Sequence, residues 1–122
     1  MIIAGFGFRK LAKLSSLLDA YTEATVDEPL DGIATVANKA SLCIFEELAT
    51  YLKLPIFPIV RNKLVIQRTR SWSRVSFDTY NVGSVAEAAA LAAAGRNSQL
   101  LTQRVIASDC MATCAIAKGY ST

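Results

Sequence analysis

Cations, carboxylates and thiols are the side chains here that could do chemistry, and the cations fall into a pattern. Arg9 and Lys10 follow a short apolar run, Ile2 to Ala4, and two glycines, Gly5 and Gly7. Thr35, Asn38 and Lys39 follow or end a second apolar stretch, Gly32 to Val36. As neighbouring parallel strands, the two stretches would deliver both groups to the carboxyl edge of a sheet, where ligands bind in open α/β sheets. Arginine grips a carboxylate with two parallel N–H bonds, and lysine adds a compact point charge. The amino end of the helix expected after the second strand would add partial positive charge there. A lysine is electrostatically disfavoured at such a helix start, so Lys39 calls for a functional reason. The implied chemistry is the capture of an anion bearing several carboxylates.

No acid–base pair accompanies these cations. The chain has no histidine, which removes the commonest general base and excludes a Ser-His or Cys-His nucleophile. Glu46-Glu47 reads as a solvated helix face, Glu87 as a helix cap, and Asp78 and Asp109 are unpaired in sequence. Cys43, Cys110 and Cys114, with one Cys-x3-Cys spacing, make a poor zinc site and read as reduced, mostly buried thiols. No metal and no cofactor are expected. Lys39 or a thiol stays open as a reacting group. Gly5 and Gly7 allow a sharp turn or a close ligand approach. They are not a dinucleotide fingerprint, because Lys10 stands where a third glycine would open a helix.

The chain of 122 residues, 52% apolar and 19% charged, is read as one folded domain over residues 1–122. No apolar run reaches the roughly 18 residues of a membrane span. Arg9, Lys10 and Lys13 interrupt any leader-like segment, so a cytoplasmic protein without membrane contact is expected. Five of the ten acids lie between Asp19 and Asp31, whereas Leu48 onward holds nine Lys/Arg against three acids. Such an imbalance suits a multiply anionic partner. Nucleic acid has only this charge in its favour, with no motif of that class, and is not expected.

The elements that must position the cations follow from hydrophobic spacing. Leu14, Leu17, Leu18 and Tyr21 predict a helix over Leu14 to Ala24, although Lys13 stands where a hydroxyl cap belongs. Gly32 to Val36 is a strand, and a helix follows from about Lys39 to Leu52, with Cys43 packing beside its apolar stripe. Leu54 to Val60 is a strand whose prolines place it at an edge or a bulge. Arg61 to Gln67 holds a helical turn, Arg68 to Arg74 an anion-contacting or solvated loop, and Arg74 to Tyr80 a helix. Ser84 and Glu87 form a capping box for an alanine-rich helix that ends at Gly95. Gln99 to Thr102 and Ala112 to Ala117 are two strands joined by a loop or a bulged hairpin. Cys110, Ala112, Cys114 and Ile116 would share one face, and Leu100, Thr102 and Arg104 another. The fold class expected is α/β: a single-domain three-layer sandwich with a mixed, mainly parallel sheet and a C-terminal β-hairpin.

Four blocks carry a resemblance: Gly5-Phe6-Gly7-Phe8-Arg9-Lys10, Ala34-Thr35-Val36-Ala37-Asn38-Lys39-Ala40, Gly83-Ser84-Val85-Ala86-Glu87-Ala88-Ala89-Ala90-Leu91, and Ala112-Thr113-Cys114-Ala115-Ile116-Ala117. Together, in this order, they resemble the CobE/CbiG C-terminal family of cobalamin (vitamin B12) biosynthesis proteins. The resemblance covers nearly the whole chain and is least over Arg61 to Tyr80. It implies action on corrin-ring intermediates, the precorrins, which are tetrapyrroles bearing acetate and propionate side chains. It also implies a choice between two roles. One is a stand-alone CobE-type binding or accessory protein that passes its ligand to another cobalamin-pathway enzyme such as a methyltransferase. The other is a hydrolase like the longer CbiG-type relatives, which open the lactone of cobalt-precorrin-5A and release acetaldehyde. In that case Lys39 would bind or polarise the lactone. The substrate-binding set expected is Gly5, Gly7, Phe8, Arg9, Lys10, Thr35, Asn38, Lys39, Arg104 and Thr113.

Overall fold

The structure is a computed structural model, and it describes residues 1–119. The chain runs β1 (Ile2–Phe8), α1 (Leu14–Ala24), β2 (Gly32–Val36), α2 (Ala37–Ala40), α3 (Cys43–Leu52), β3 (Ile56–Ile59), α4 (Arg61–Leu64), α5 (Arg74–Tyr80), α6 (Val85–Ala94), β4 (Gln99–Ile106) and β5 (Ala112–Lys118). The strands form one five-stranded sheet in the order β3-β2-β1-β5-β4. The β1–β2 and β2–β3 pairs are parallel, and β5 runs antiparallel to both β1 and β4. All strands but β5 therefore point one way. This is the α/β sandwich with a mixed, mainly parallel sheet and a C-terminal hairpin that the sequence predicts. Among the described residues, no helix is long and apolar enough to cross a membrane.

Alternation along β1 decides what covers each face. Ile2, Ala4, Phe6 and Phe8 point toward α1 and α3, and they pack with Leu17, Ala20, Phe45 and Leu48. Ile3 points the other way, into a cluster with Ala34, Leu64, Ala88, Ala89 and Ala90. Fully burying side chains such as Phe6, Leu17 and Phe45 contributes roughly 1.5–3 kcal/mol each. Phe45 meets Phe6 edge-on and stacks on Phe8, with centroids 5.8 Å apart in both pairs.

Gly5 is not in a loop. It lies inside β1 and faces α6, where a Cβ would stand 2.1 Å from the Ala86 carbonyl oxygen and 2.5 Å from the Ala90 amide nitrogen. The missing side chain lets α6 lie directly on the sheet, and eight of the ten residues of α6 are buried.

Other expectations change in detail. The single helix expected over Lys39 to Leu52 is broken at Ser41-Leu42, and Leu42 is extended at the start of α3. The break lets α2 stay beside β2 and β3 while α3 turns back onto α1. Leu42 is consequently 44% exposed and leaves the apolar stripe. Cys43 and Cys110 are exposed, and only Cys114 is a buried thiol. Cys110 lies before β5, in the left-handed region at φ 61°, and does not share a strand face with Ala112. β4 is longer than expected, and its register to β5 slips on both sides of Thr102. Leu100 packs on the α6 side, whereas the Thr102 hydroxyl donates to the Ala24 carbonyl at the end of α1. A one-residue bulge sends the next side chain to the opposite face. The β3 edge position agrees with its prolines, and Pro58 lies opposite Thr35.

Backbone atoms surround the missing Cβ of Gly5, and backbone cannot rotate away. Overpacking in a core costs typically 1–3 kcal/mol. Gly5→Ala should reach or exceed about 3 kcal/mol in urea unfolding. A near-neutral effect would mean that α6 does not sit this close to β1.

Candidate functional site

A cavity of about 360 Å³ opens at the edge of the sheet where β1, β2 and β4 end and β5 begins. β1 contributes Gly7 and Phe8, with Arg9 just beyond its end. Val36 and Lys39 come from β2 and α2, Arg104 and Ile106 from β4, and Ala112 and Thr113 from β5. The outer wall is α5 with its cap, through Ser73, Val75, Ser76 and Tyr80. Gly7, Phe8, Arg9, Lys39, Arg104 and Thr113 are thus brought together, out of the expected set. Gly5, Lys10, Thr35 and Asn38 are not.

Each outlier has a physical reason. Gly5 is covered by α6. Lys10 is exposed beyond the strand end and does not line the cavity. Thr35 is fully buried in the sheet, where its hydroxyl donates to the Phe6 carbonyl at 2.8 Å. Asn38 is exposed and meets the Tyr80 hydroxyl at 3.4 Å, so it supports the outer wall from behind. α2 is a single turn of four residues, too short to contribute the charge expected of a long helix start. The electrostatic objection to Lys39 falls away with it.

Among the described residues, three cations, Arg9, Lys39 and Arg104, line the cavity, and no carboxylate does. The Lys39 ammonium donates to the Phe8 carbonyl and lies 4.9 Å from the centre of the Phe8 ring. Burial lowers its pKa below the ordinary lysine value. Phe8 is in turn stacked on Phe45, so the position of Lys39 depends on the aromatic core. The Thr113 hydroxyl donates to the Gly7 carbonyl at 3.2 Å.

Arg104 is the least satisfied group at the site. Its backbone amide donates to Glu87 at 2.8 Å, yet its side-chain Nε is buried with no hydrogen-bond partner among the described residues. A buried donor left unpaired costs about 1–3 kcal/mol.

Glu87 itself departs from the capping-box expectation. Ser84 does accept from the Glu87 amide at 3.3 Å. The Glu87 carboxylate, however, is fully buried and turns away from the helix start. It accepts from the Arg70 amide at 2.7 Å, the Ser71 amide at 2.9 Å, the Ser71 hydroxyl at 2.6 Å and the Arg104 amide at 2.8 Å. Burial alone would raise its pKa, but these hydrogen bonds together hold it below the ordinary value. A signal for this was present in the sequence: a lone acid in a helix that is otherwise alanine, valine and leucine must find partners if the helix is buried.

The floor of the cavity includes Cys110 and Met111, in the turn between β4 and β5. That turn is tied to α1 twice. Ser16 donates to Asp109, and Ser108 donates to Asp19 through both its amide and its hydroxyl. Asp109, unpaired in sequence, therefore has a partner 93 positions away. The Ser16 hydroxyl also accepts from the Lys13 amide at 3.1 Å, which replaces the missing hydroxyl cap of α1. Among the described residues, no group of three or more His, Cys, Asp or Glu side chains could hold a metal ion.

Two expectations follow. Cys43 and Cys110 should react rapidly with a disulfide reagent, while Cys114, whose pKa burial pushes up, should react only on unfolding. Two fast equivalents per chain would show this, and a third would place Cys114 at the surface. Because the pKa of Glu87 is lowered in the fold, its contribution is complete above the ordinary value of 4.5 and is lost as pH falls through the folded value. Glu87→Gln should therefore cost about 3 kcal/mol at neutral pH and clearly less near pH 3, measured by urea unfolding at both. An equal cost at both would contradict the depressed pKa.

The comparisons with known proteins agree with this fold. A comparison with curated protein sequences finds no match. Among solved structures, CobE, a protein from the cobalamin (vitamin B12) biosynthetic pathway, is similar at 29% identity and TM-score 0.81, over 100% of this chain and 92% of that one. The cobalamin biosynthesis protein chiG from Agrobacterium tumefaciens str. C58 is similar at 29% identity and TM-score 0.71, over 99% and 100% of the two chains. A third structure, described as a cobalamin biosynthesis protein G homolog from Sulfolobus solfataricus, shares the fold at 22% identity and TM-score 0.69, over 98% of this chain and 37% of that longer one. Residues 2–117 match the model of the family described as cobalamin synthesis G C-terminus, and the chain belongs to that family.

Proposed function

We propose that the domain binds a precorrin through the carboxylates on the rim of the macrocycle, as a binding or accessory protein of cobalamin biosynthesis. The observation that carries this reading is a cavity lined by Arg9, Lys39 and Arg104 and, among the described residues, by no carboxylate. Acetate and propionate groups complement such cations, and arginine holds them in a fixed geometry. Val36, Val75, Val85 and Ile106 supply apolar lining for the body of the ring. Arg9, exposed at the mouth, draws the anion in from solution. The ligand would then pass to another enzyme of the pathway.

The hydrolase alternative asks for a group that activates water. Among the described residues no carboxylate lines the cavity, Glu87 is committed to four hydrogen bonds, and Asp109 to Ser16 and the Met111 amide. Lys39, the residue assigned to the lactone, has its ammonium on the Phe8 carbonyl. The binding role is therefore the better reading.

Spectroscopic titration with a series of precorrins, with mass measured before and after, tests it. The expected result is an absorbance shift with unchanged mass, and an affinity weakened about 10-fold or more in Arg104→Met, from the loss of a charged hydrogen bond worth about 1.5–3 kcal/mol. Loss of a two-carbon fragment from the ligand would overturn the accessory role in favour of lactone opening.

A further inference from the structure

The outer wall of the cavity meets the core through Tyr80, which packs half-buried against the cluster of Val82 and Val85. None of the seven residues of α5 is buried. Polar ties fix it: the Ser73 amide to the Gly83 carbonyl at 2.8 Å, Arg61 Nη2 to the Thr79 carbonyl at 3.0 Å, and the Tyr80–Asn38 contact at 3.4 Å. The segment that leads into it, Arg70 and Ser71, is held by the buried carboxylate of Glu87. Ser71 is two residues from Ser73, whose hydroxyl accepts the Ser76 amide and starts α5. On the opposite side the β4–β5 ladder slips between Thr102 and Val105, and the Arg104 amide donates to the same Glu87 carboxylate. One carboxylate thus joins two walls that approach from different parts of the chain.

We propose that Glu87 is a positioning residue for the ligand site: it holds Arg104 on one wall and the start of α5 on the other at the separation the anionic ligand requires. The inference rests on the binding reading above and goes beyond it, because Glu87 does not line the cavity and acts through Arg104 and the Arg70–Ser73 segment. A neutral amide cannot reproduce the arrangement. Glutamine has one acceptor oxygen for its partners, and its NH₂ would face a donor it cannot accept from. Both walls would then drift, while β1, β2 and β5, bonded within the sheet, would stay.

The test has two arms. In the first, cobyrinic acid, a corrin with free carboxylates, is titrated against the folded protein in wild type, Glu87→Gln, Glu87→Asp, Arg104→Met and the Glu87→Gln/Arg104→Met double variant. Glu87→Gln should weaken binding about 10-fold, Glu87→Asp should recover part of that, and the double variant should bind little worse than Arg104→Met alone. Unchanged affinity of folded Glu87→Gln, or fully additive losses in the double variant, would reduce Glu87 to a stability element and overturn the proposal. In the second arm, amide hydrogen exchange is followed without ligand. Glu87→Gln should speed exchange at Arg70, Ser71, Ser76 and Arg104 while leaving Ile3 to Phe6 protected. Uniform exchange changes across the sheet, or none at these amides, would overturn it. If wild type fails to bind cobyrinic acid, the binding reading falls and the second arm alone decides the positioning role. If Glu87→Gln does not fold, Ser71→Ala, which removes one of the four hydrogen bonds, replaces it in both arms.

Discussion

The contact that the rest of the structure depends on is the close approach of α6 to the middle of β1. It exists because position 5 has no Cβ and α6 presents alanine methyls to the sheet. A helix this near the sheet cannot leave room for water around Glu87, so the carboxylate must be met by protein donors. Those donors are available only because the chain before α5 folds over the helix and because β4 slips its register. The cavity is bounded by these adjustments.

The cations reach the cavity from three separate elements, at sequence separations that no local pattern connects. Parallel pairing of β1 with β2 accounts for Arg9 and Lys39 appearing together, as expected for strands that end at the same edge. Arg104 arrives by a different route, on a strand that follows a return across the other face of the sheet. Their convergence, with no carboxylate among the described lining residues, raises the local positive potential. That potential is an electrostatic cost built into the fold.

Much of the architecture was legible because it rests on short-range spacing. α1, β2 and α5 begin and end where hydrophobic period and turn residues place them. What was not legible depends on partners distant in sequence. The glycines of β1 resemble a loop until the helix 80 or more positions later is known to lie on them. Thr35 looks like a polar residue at a ligand-binding edge, but it bonds a neighbouring strand carbonyl. The residues of α5 in the site, Val75, Ser76 and Tyr80, carry no chemical signature at all. Only the three-dimensional return of the chain places them opposite Arg104.

The outer wall has a consequence for how such a domain can change. Because α5 buries none of its residues, its surface can be rewritten with little effect on folding free energy, provided the ties at its ends survive. On the binding role proposed above, selectivity for one ring periphery over another can therefore vary independently of the scaffold. On that role, the same sheet with its packed alanine helix supports differently shaped ligands.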